Sequence, residues 1–282
     1  MISIGLTGWG DHESLYSDKQ AAKQKLRTYS RHFSVVEVDS SFYAMQPTRN
    51  YHKWIEETPA DFSFVVKAYQ GMTGHMRGDI PFTDAEEMFT VFKQSIVPLQ
   101  EAGKLRMVLF QYPPWFDCQK KHVELLRYTK ERMNDIPCSI EFRNQSWFEP
   151  QMCDRTLAFL EQGKWIHTIC DEPQAGVGSV PVVLQATSRE AALIRLHGRN
   201  IHGWSNTGLP NWRAVRCLYR YNQEELLEWA ERLRWLQEQT KQIYVLFNNN
   251  SGGDAADNAK QLMKLLGVEE PQKDSEQMRL FD

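Results

Sequence analysis

The sequence predicts a (β/α)8 TIM-type barrel, and three observations lead to it. Short β-rich runs recur eight times along the chain. Amphipathic helical stretches separate most of them. Polar residues collect at the C-terminal ends of the runs, where barrels of this type carry their sites. Strands alternating with helices give a parallel sheet, and eight of them over about 250 residues close it on itself.

The runs begin with "ISIGL" at 2–6, "VVEVD" at 35–39, "FSFVVKA" at 62–68 and "MVLFQ" at 107–111. They continue with "SIEF" at 139–142, "WIHTICD" at 165–171, "ALIRLH" at 192–197 and "IYVLF" at 243–247. Residues 18–32 read as the first helix, capped by Ser17 or Asp18. Residues 84–101 read as another, with Thr83 and Glu86 at capping-box spacing and Pro98 kinking the last turn. The stretch 222–239 places Leu226, Trp229, Leu233 and Leu236 on one apolar stripe, and 254–266 forms the last helix. Between the sixth and seventh runs, "EPQAGVGSVPVVLQATSRE" is rich in Gly and Pro, so the sixth helix is expected to be missing or irregular. The barrel is expected over 1–266, with 267–282 as a flexible tail.

Composition narrows the class. Of 282 residues, 41% are apolar and 24% charged, as in an ordinary globular chain that needs no disulfide or metal staple. The net charge of −3 gives no bulk basic signal for nucleic acid, though a local basic groove stays open. Cys118, Cys138, Cys153, Cys170 and Cys217 form no CxxC pair, which fits a reducing, cytoplasmic compartment. The N-terminus lacks the charged and apolar regions of a signal peptide, and no apolar run is long enough to span a membrane. Nine tryptophans and ten tyrosines suit a well-packed core and equally a pocket lined with rings.

Strand residues alternate between two faces. In "VVEVD", Glu37 and Asp39 then point into the barrel while Val36 and Val38 face the helices. The same phase brings Thr7 and Trp9, Lys67, Gln111, Glu141 and Arg143 inward. It adds Asp171, Arg195, His197 and Asn248 on the later strands. These residues read as a polar pocket, or as a mutually satisfied ion network closing the barrel mouth, since buried charges must pair. Glu37, Glu141, Asp171 and His197 offer oxygen and nitrogen donors, but the interleaved cations disfavour a metal, and the sequence leaves any other cofactor unknown. Lys67, Arg143, Arg195 and Arg199 suit an anionic ligand such as a carboxylate or phosphate. His197 is then a candidate general acid/base beside Glu141 and Glu37.

Three connections extend the pocket. "AYQGMTGHMRGDIPFT" carries His75 and Arg77, "QYPPWF" carries Trp115, and "GRNIHGWSNTGLPNW" carries Arg199, His202, Trp204 and Trp212. Long loops at this face are commonly binding loops or lids. Aromatic residues mixed with Arg can stack bases or sugars, or simply pack.

The motifs "GLTGW", "VVEVDSSFY", "FVVKA", "LFQYPPWF", "SIEFRNQSWF", "RLHGR" and "VLFNNNSGGDAADNA" occur in order. Together they make the chain resemble the YecE-like family of uncharacterised proteins, domain of unknown function 72, from residue 2 to about 266. The resemblance implies a TIM-type barrel. It carries over Glu37, Phe42, Tyr43, Lys67, Gln111, Glu141, Arg143, Trp147, Arg195, His197 and Asn248 position by position. Asp39 stands where that family commonly has Asn, and Asn144 where it commonly has His. No reaction comes with the family. Similarity of its barrel to endonuclease-type phosphodiesterases implies DNA-related roles only as fold-level analogy.

The tail carries Gln277-Met278-Arg279-Leu280-Phe281, which is similar to the pentapeptide that docks bacterial replication and repair proteins on the DNA sliding clamp. There Gln277 would make polar contacts while Leu280 and Phe281 fill an apolar pocket. The chain is therefore expected to be an enzyme, a hydrolase or lyase, on an anionic and phosphate-bearing substrate, docked on the clamp. The alternatives are a non-catalytic module recruited to replication or repair sites, and a metabolic barrel acting on a small sugar phosphate.

Overall fold

A computed structural model describes residues 1–16, 19–79, 81–204 and 215–271. Eight parallel strands pair in sequence order and close into a barrel, β8 returning to β1. The strands are β1 (Ile2–Thr7), β2 (Val35–Val38), β3 (Ser63–Lys67) and β4 (Leu105–Gln111). They continue with β5 (Cys138–Glu141), β6 (Trp165–Asp171), β7 (Ala191–Leu196) and β8 (Gln242–Phe247). Each falls within two residues of the run read from sequence.

The helices fill the connections. α1 (Lys19–Lys23) and α2 (Lys25–Tyr29) replace the single helix expected over 18–32. They part at Gln24, whose φ and ψ of −120° and 49° leave the helical region. Its proposed caps, Ser17 and Asp18, lie outside the described residues. α3 (Ser40–Tyr43) and α4 (Thr48–Glu56) follow β2, and α5 (Ala85–Glu101) follows β3. Then come α6 (Lys120–Met133), α7 (Cys153–Gln162), α8 (Ile201–Trp204), α9 (Gln223–Leu236) and α10 (Ala255–Leu266).

The α5 cap sits one residue later than the sequence spacing implied. Asp84 Oδ1 accepts from the Glu87 amide at 2.8 Å, and Glu87 Oε2 accepts from the Thr83 amide at 2.5 Å. Glu86 is thereby released to pair with Arg132. α9 forms a full capping box between Asn222 and Glu225, and Leu226, Trp229, Leu233 and Leu236 are all buried on its inner stripe. No helix follows β6. Instead 172–190 is pinned down by side chains: Thr187 Oγ1 donates to Trp165 O at 2.7 Å and accepts from the His167 amide at 2.8 Å. No helix among the described residues is long and apolar enough to cross a membrane.

The barrel interior has two storeys. Val35, Val65, Met107, Leu109, Ile166, Leu193, Tyr244 and Leu246 form a separate apolar cluster that plugs its lower part. The next inward positions along the same strands are Glu37, Lys67, Gln111, Arg195 and Asn248, so a polar storey sits on an apolar one. The larger apolar cluster fills the space between strands and helices.

The β1–β2 seam is unusually close. Gly5 faces the Val35 carbonyl oxygen, where any Cβ would collide. The buried Tyr29 hydroxyl bridges this seam, accepting from the Leu6 amide at 2.8 Å and donating to Val35 O at 2.8 Å. Tyr29→Phe deprives two buried backbone groups of that partner and is expected to lower the unfolding free energy by about 1–3 kcal/mol. Urea denaturation measures this, and an unchanged midpoint would mean the bridge contributes nothing.

Candidate functional site

The polar storey is organised around Arg195 at the end of β7. Its Nε and Nη2 donate to the two oxygens of Glu37 on β2, both at 2.9 Å. Its Nη1 donates to Glu141 Oε2 on β5 at 2.6 Å. All three side chains are essentially fully buried. A planar fork meeting two carboxylates is the geometry Arg provides and Lys cannot.

Glu141 continues the network. Its Oε1 accepts from Gln111 Nε2 at 2.5 Å and lies 3.1 Å from His197 Nε2. His197 Nδ1 lies 2.8 Å from Asn248 Nδ2, and Asn248 Oδ1 accepts from Thr7 Oγ1 at 2.7 Å. An amide nitrogen only donates, so His197 carries its proton on Nε2 and points it at Glu141. Burial lowers the His197 pKa to about 4, against the opposing pull of Glu141, so the ring is neutral at pH 7. Burial alone would push the Glu141 carboxyl up, but Arg195, then His197 and Arg143, hold it well below the usual carboxylate range. Glu37 goes the other way, because burial outweighs Arg195 and Lys67. Glu37, Glu141, Arg195 and His197, expected to do chemistry or hold a ligand, are thus brought together but engaged with one another.

The accessible part of the site lies above this layer. Lys67 Nζ pairs with Asp39 Oδ1 at 2.7 Å and sits 4.5 Å over the Phe42 ring. Burial opposes ionisation of Asp39, yet Lys67 holds its carboxyl below the ordinary value. Around this pair stands an aromatic rim. Phe42 packs edge-on against Tyr43 and His75, with centroids 5.2 and 5.1 Å away. His75 in turn meets Trp115 at 5.9 Å. Tyr43 and Trp115 are exposed, while Trp9 is half-buried and packed edge-on against Trp54. His75 Nδ1 is 2.9 Å from Thr73 Oγ1, whereas no described group hydrogen-bonds its Nε2. Burial, with Lys67 and Arg143 nearby, lowers the His75 pKa to about 4.

Arg143 is 5% exposed, and its buried Nε has no hydrogen-bond partner among the described residues. Its carboxylate neighbours are Glu172 Oε2, 3.2 Å from Nε but out of alignment, and Glu141 Oε1, 3.9 Å from Nη1. The guanidinium lies 4.4 Å over the Trp204 ring, with Arg216 at 4.3 Å from the same ring.

Two expected ligand-binding residues sit elsewhere. Asp171 does not face into the barrel: its Oδ2 accepts from Trp229 Nε1 on α9 at 2.8 Å. The inward phase of β6 runs through Ile166, in the lower plug, and on by alternation through Thr168 and Cys170 to Glu172, so Asp171 falls between. Arg199 follows Asp171 outward, giving Nε to its two oxygens at 3.0 Å and Nη1 and Nη2 to Glu225 and Glu228 at 3.2 Å. Its donors are occupied by carboxylates of the helix layer. Gly198 turns the chain toward them with φ of +84°, where a side chain would also strike Tyr219. Glu172, which the sequence reading passed over, replaces Asp171 as the acid of the mouth. Gln277, Leu280, Phe281 and Trp212 lie outside the described residues.

Glu141, Cys170 and His197 present one donor atom each within 4.8 Å of one another. The chemistry of this set opposes a cation. Both His197 nitrogens are engaged, burial pushes the Cys170 thiol well above its ordinary pKa, and Arg195 and Arg143 face Glu141.

Removing Arg195 strands two buried carboxylates, so Arg195→Met is expected to cost about 3–5 kcal/mol at pH 7. Without the guanidinium both folded-state carboxyl pKa values rise above their unfolded values, so the deficit should shrink from pH 7 to pH 5. In the parent chain the depressed Glu141 pKa gives the opposite sign, stability being lost as pH falls through it. Urea denaturation at both pH values tests this; a deficit that does not depend on pH would count against stranded charge as the cause.

Comparison with known proteins agrees with this fold. Residues 3–279 match the family described as "Protein of unknown function DUF72". The UPF0759 protein YunF of Bacillus subtilis is 58% identical over 282 residues, spanning both chains completely. A DUF72 family protein of Enterococcus faecalis superposes with a TM-score of 0.91 at 35% identity, over 97% of this chain and 99% of that one. Another from Thermotoga maritima gives 0.80 at 29% identity, over 95% and 99%. A (β/α)8 barrel, full-length matches and the seven ordered motifs lead to one conclusion: the chain belongs to the DUF72 family.

Proposed function

We propose that this barrel is an enzyme acting on an anionic, phosphate-bearing substrate bound at the C-terminal face of its strands. The observation that carries this reading is Arg143, a buried guanidinium whose Nε has no hydrogen-bond partner among the described residues, while Arg195 and Arg199 are filled by carboxylates. A buried donor left without an acceptor costs about 1–3 kcal/mol, which an oxygen of a bound anion would recover. Lys67, paired with Asp39, stands nearby under the aromatic rim. Tyr43, Phe42, His75 and Trp115 offer ring faces to a base or sugar attached to that anion.

For the acid/base role, geometry favours His75 over His197, the residue expected from the sequence. No described group hydrogen-bonds the Nε2 of His75, whereas both nitrogens of His197 are engaged. Glu37, Glu141 and His197 then act as positioning residues that fix the strand ends. Hydrolysis or elimination suits a site with a neutral imidazole and a cation for the developing charge. The closed Glu141–His197 network favours a second reading, a non-catalytic module that only holds its ligand.

A thermal-shift panel of inorganic phosphate, a nucleoside monophosphate, a sugar phosphate and a short single-stranded DNA tests the site. At least one is expected to raise the melting temperature of the parent chain and not of Arg143→Gln. No shift with any probe, or equal shifts in both proteins, would remove the anion reading. Turnover of the stabilising ester that His75→Ala abolishes without loss of binding would decide between enzyme and binding module.

The proposal includes a location. Gln277, Leu280 and Phe281 would dock the chain on the bacterial DNA sliding clamp, a reading supported by the tail sequence alone. Full-length protein is expected to bind the purified clamp with micromolar affinity, and a Leu280→Ala, Phe281→Ala double variant to lose it at least tenfold. Equal binding by both proteins, or none by either, would detach the barrel from replication and repair.

A further inference from the structure

The acid missed in the sequence, Glu172, lies against Arg143, whose Nε has no hydrogen-bond partner among the described residues. It is 3% exposed, and its Oε1 accepts from the Val180 amide at 2.7 Å. Its Oε2 is buried without a hydrogen-bond partner among the described residues, as is Arg143 Nε, although the two atoms are only 3.2 Å apart. An ionised carboxylate beside a guanidinium would be expected to align with it, as Glu37 does with Arg195 at 2.9 Å. A neutral acid has less reason to. With Oε1 occupied as an acceptor, its proton falls on Oε2, and that atom becomes a donor. Two buried donors side by side cannot satisfy one another, but one oxygen placed between them satisfies both.

We infer that Glu172, as a carboxylic acid, forms with Arg143 a two-donor clamp for one oxygen of an oxyanion. This rests on the anion reading given above and adds to it the protonation state in which the site binds. The clamp holds an oxygen bearing negative charge, because Arg143 supplies the charge and Glu172 supplies a hydrogen bond without cancelling it.

The charges around Glu172 agree with this state. Burial pushes its pKa up to about 8, against the opposing effect of Arg143, while Glu141 adds to the rise and Arg195 reduces it. Of the other neighbours, Cys170 and Cys217 are thiols pushed up by burial, Cys217 to about 11, so both stay neutral. His75 and His197, each at about 4, are neutral as well. Between pH 6.5 and 9.5 Glu172 is therefore the group of this set that changes charge. Once ionised it pairs with Arg143 and repels the anion.

Sulfate is the probe of choice, since it remains a dianion throughout that range. Its affinity for the full chain, measured by calorimetry, is expected to fall about thirtyfold from pH 6.5 to 9.5, as the competent fraction drops about tenfold per unit above about 8. Glu172→Gln keeps a donor and loses the titration, so it should bind sulfate at pH 6.5 and hold that affinity at pH 9.5. Circular dichroism and melting without sulfate establish that the variant is folded. Sulfate binding that ignores pH in the parent chain, or the same fall in Glu172→Gln, would overturn the clamp. Sulfate binding in neither protein at either pH would overturn the anion reading itself, and the clamp with it.

Discussion

The mouth of the barrel depends on one buried interaction, the fork of Arg195 between Glu37 and Glu141. It joins β2, β5 and β7 across the barrel interior, linking residues 158 and 54 positions apart. Taking three charges out of water is costly, and the attraction among them offsets that cost only when the geometry is good. Here each guanidinium nitrogen has its own acceptor, so the condition is met. Everything above is oriented by it. With Glu141 fixed as an anion, Gln111 and the Nε2 proton of His197 turn toward it, and Asn248 and Thr7 complete the chain to β1.

The same saturation explains where chemistry is available. Arg195 uses its donors on the frame and Arg199 uses its own on Asp171 and the helix layer, so the nitrogens of both already have acceptors. Both His197 nitrogens are likewise committed. What remains is the incomplete tier above: Arg143 with its unmatched Nε, Glu172 with its unmatched oxygen, and the Lys67–Asp39 pair under the aromatic rim. A structure that satisfies one tier and leaves the next unfinished localises its binding capacity more sharply than a count of polar residues does.

The strands were legible in the sequence because their apolar runs and the alternation of Glu37, Lys67, Gln111, Glu141, Arg195 and Asn248 reflect the barrel directly. Phase failed on β6. "WIHTICDE" is buried along its whole strand, so no polar side chain marks which positions look inward, and the charge of Asp171 pointed to the wrong one. Counting in twos from Ile166 in the lower plug reaches Glu172 instead. Local chemistry also misled at α5, where Asp84 is a better cap than Thr83, and Gln24 divides a helix whose periodicity runs through the break. Pairing cannot be read from sequence at all: nothing in "RLHGR" tells that Arg195 is filled and Arg199 faces outward.

A site of this kind puts different demands on its two carboxylic acids. Glu141 must stay ionised to hold Arg195 and His197, and three basic neighbours keep it so. Glu172 stands near the same charges but meets Arg143 out of alignment, and burial dominates its titration. The two differ in environment and not in residue type, which is how one fold keeps a base and an acid beside the same guanidinium. The irregular segment after β6 is the cause of the difference. With no helix there, the Val180 amide reaches Glu172 Oε1 and closes the chain over the carboxyl. A regular helix after β6 would direct its amides along its own axis and leave that carboxyl open to water. The missing helix is thus what gives the mouth a buried acid.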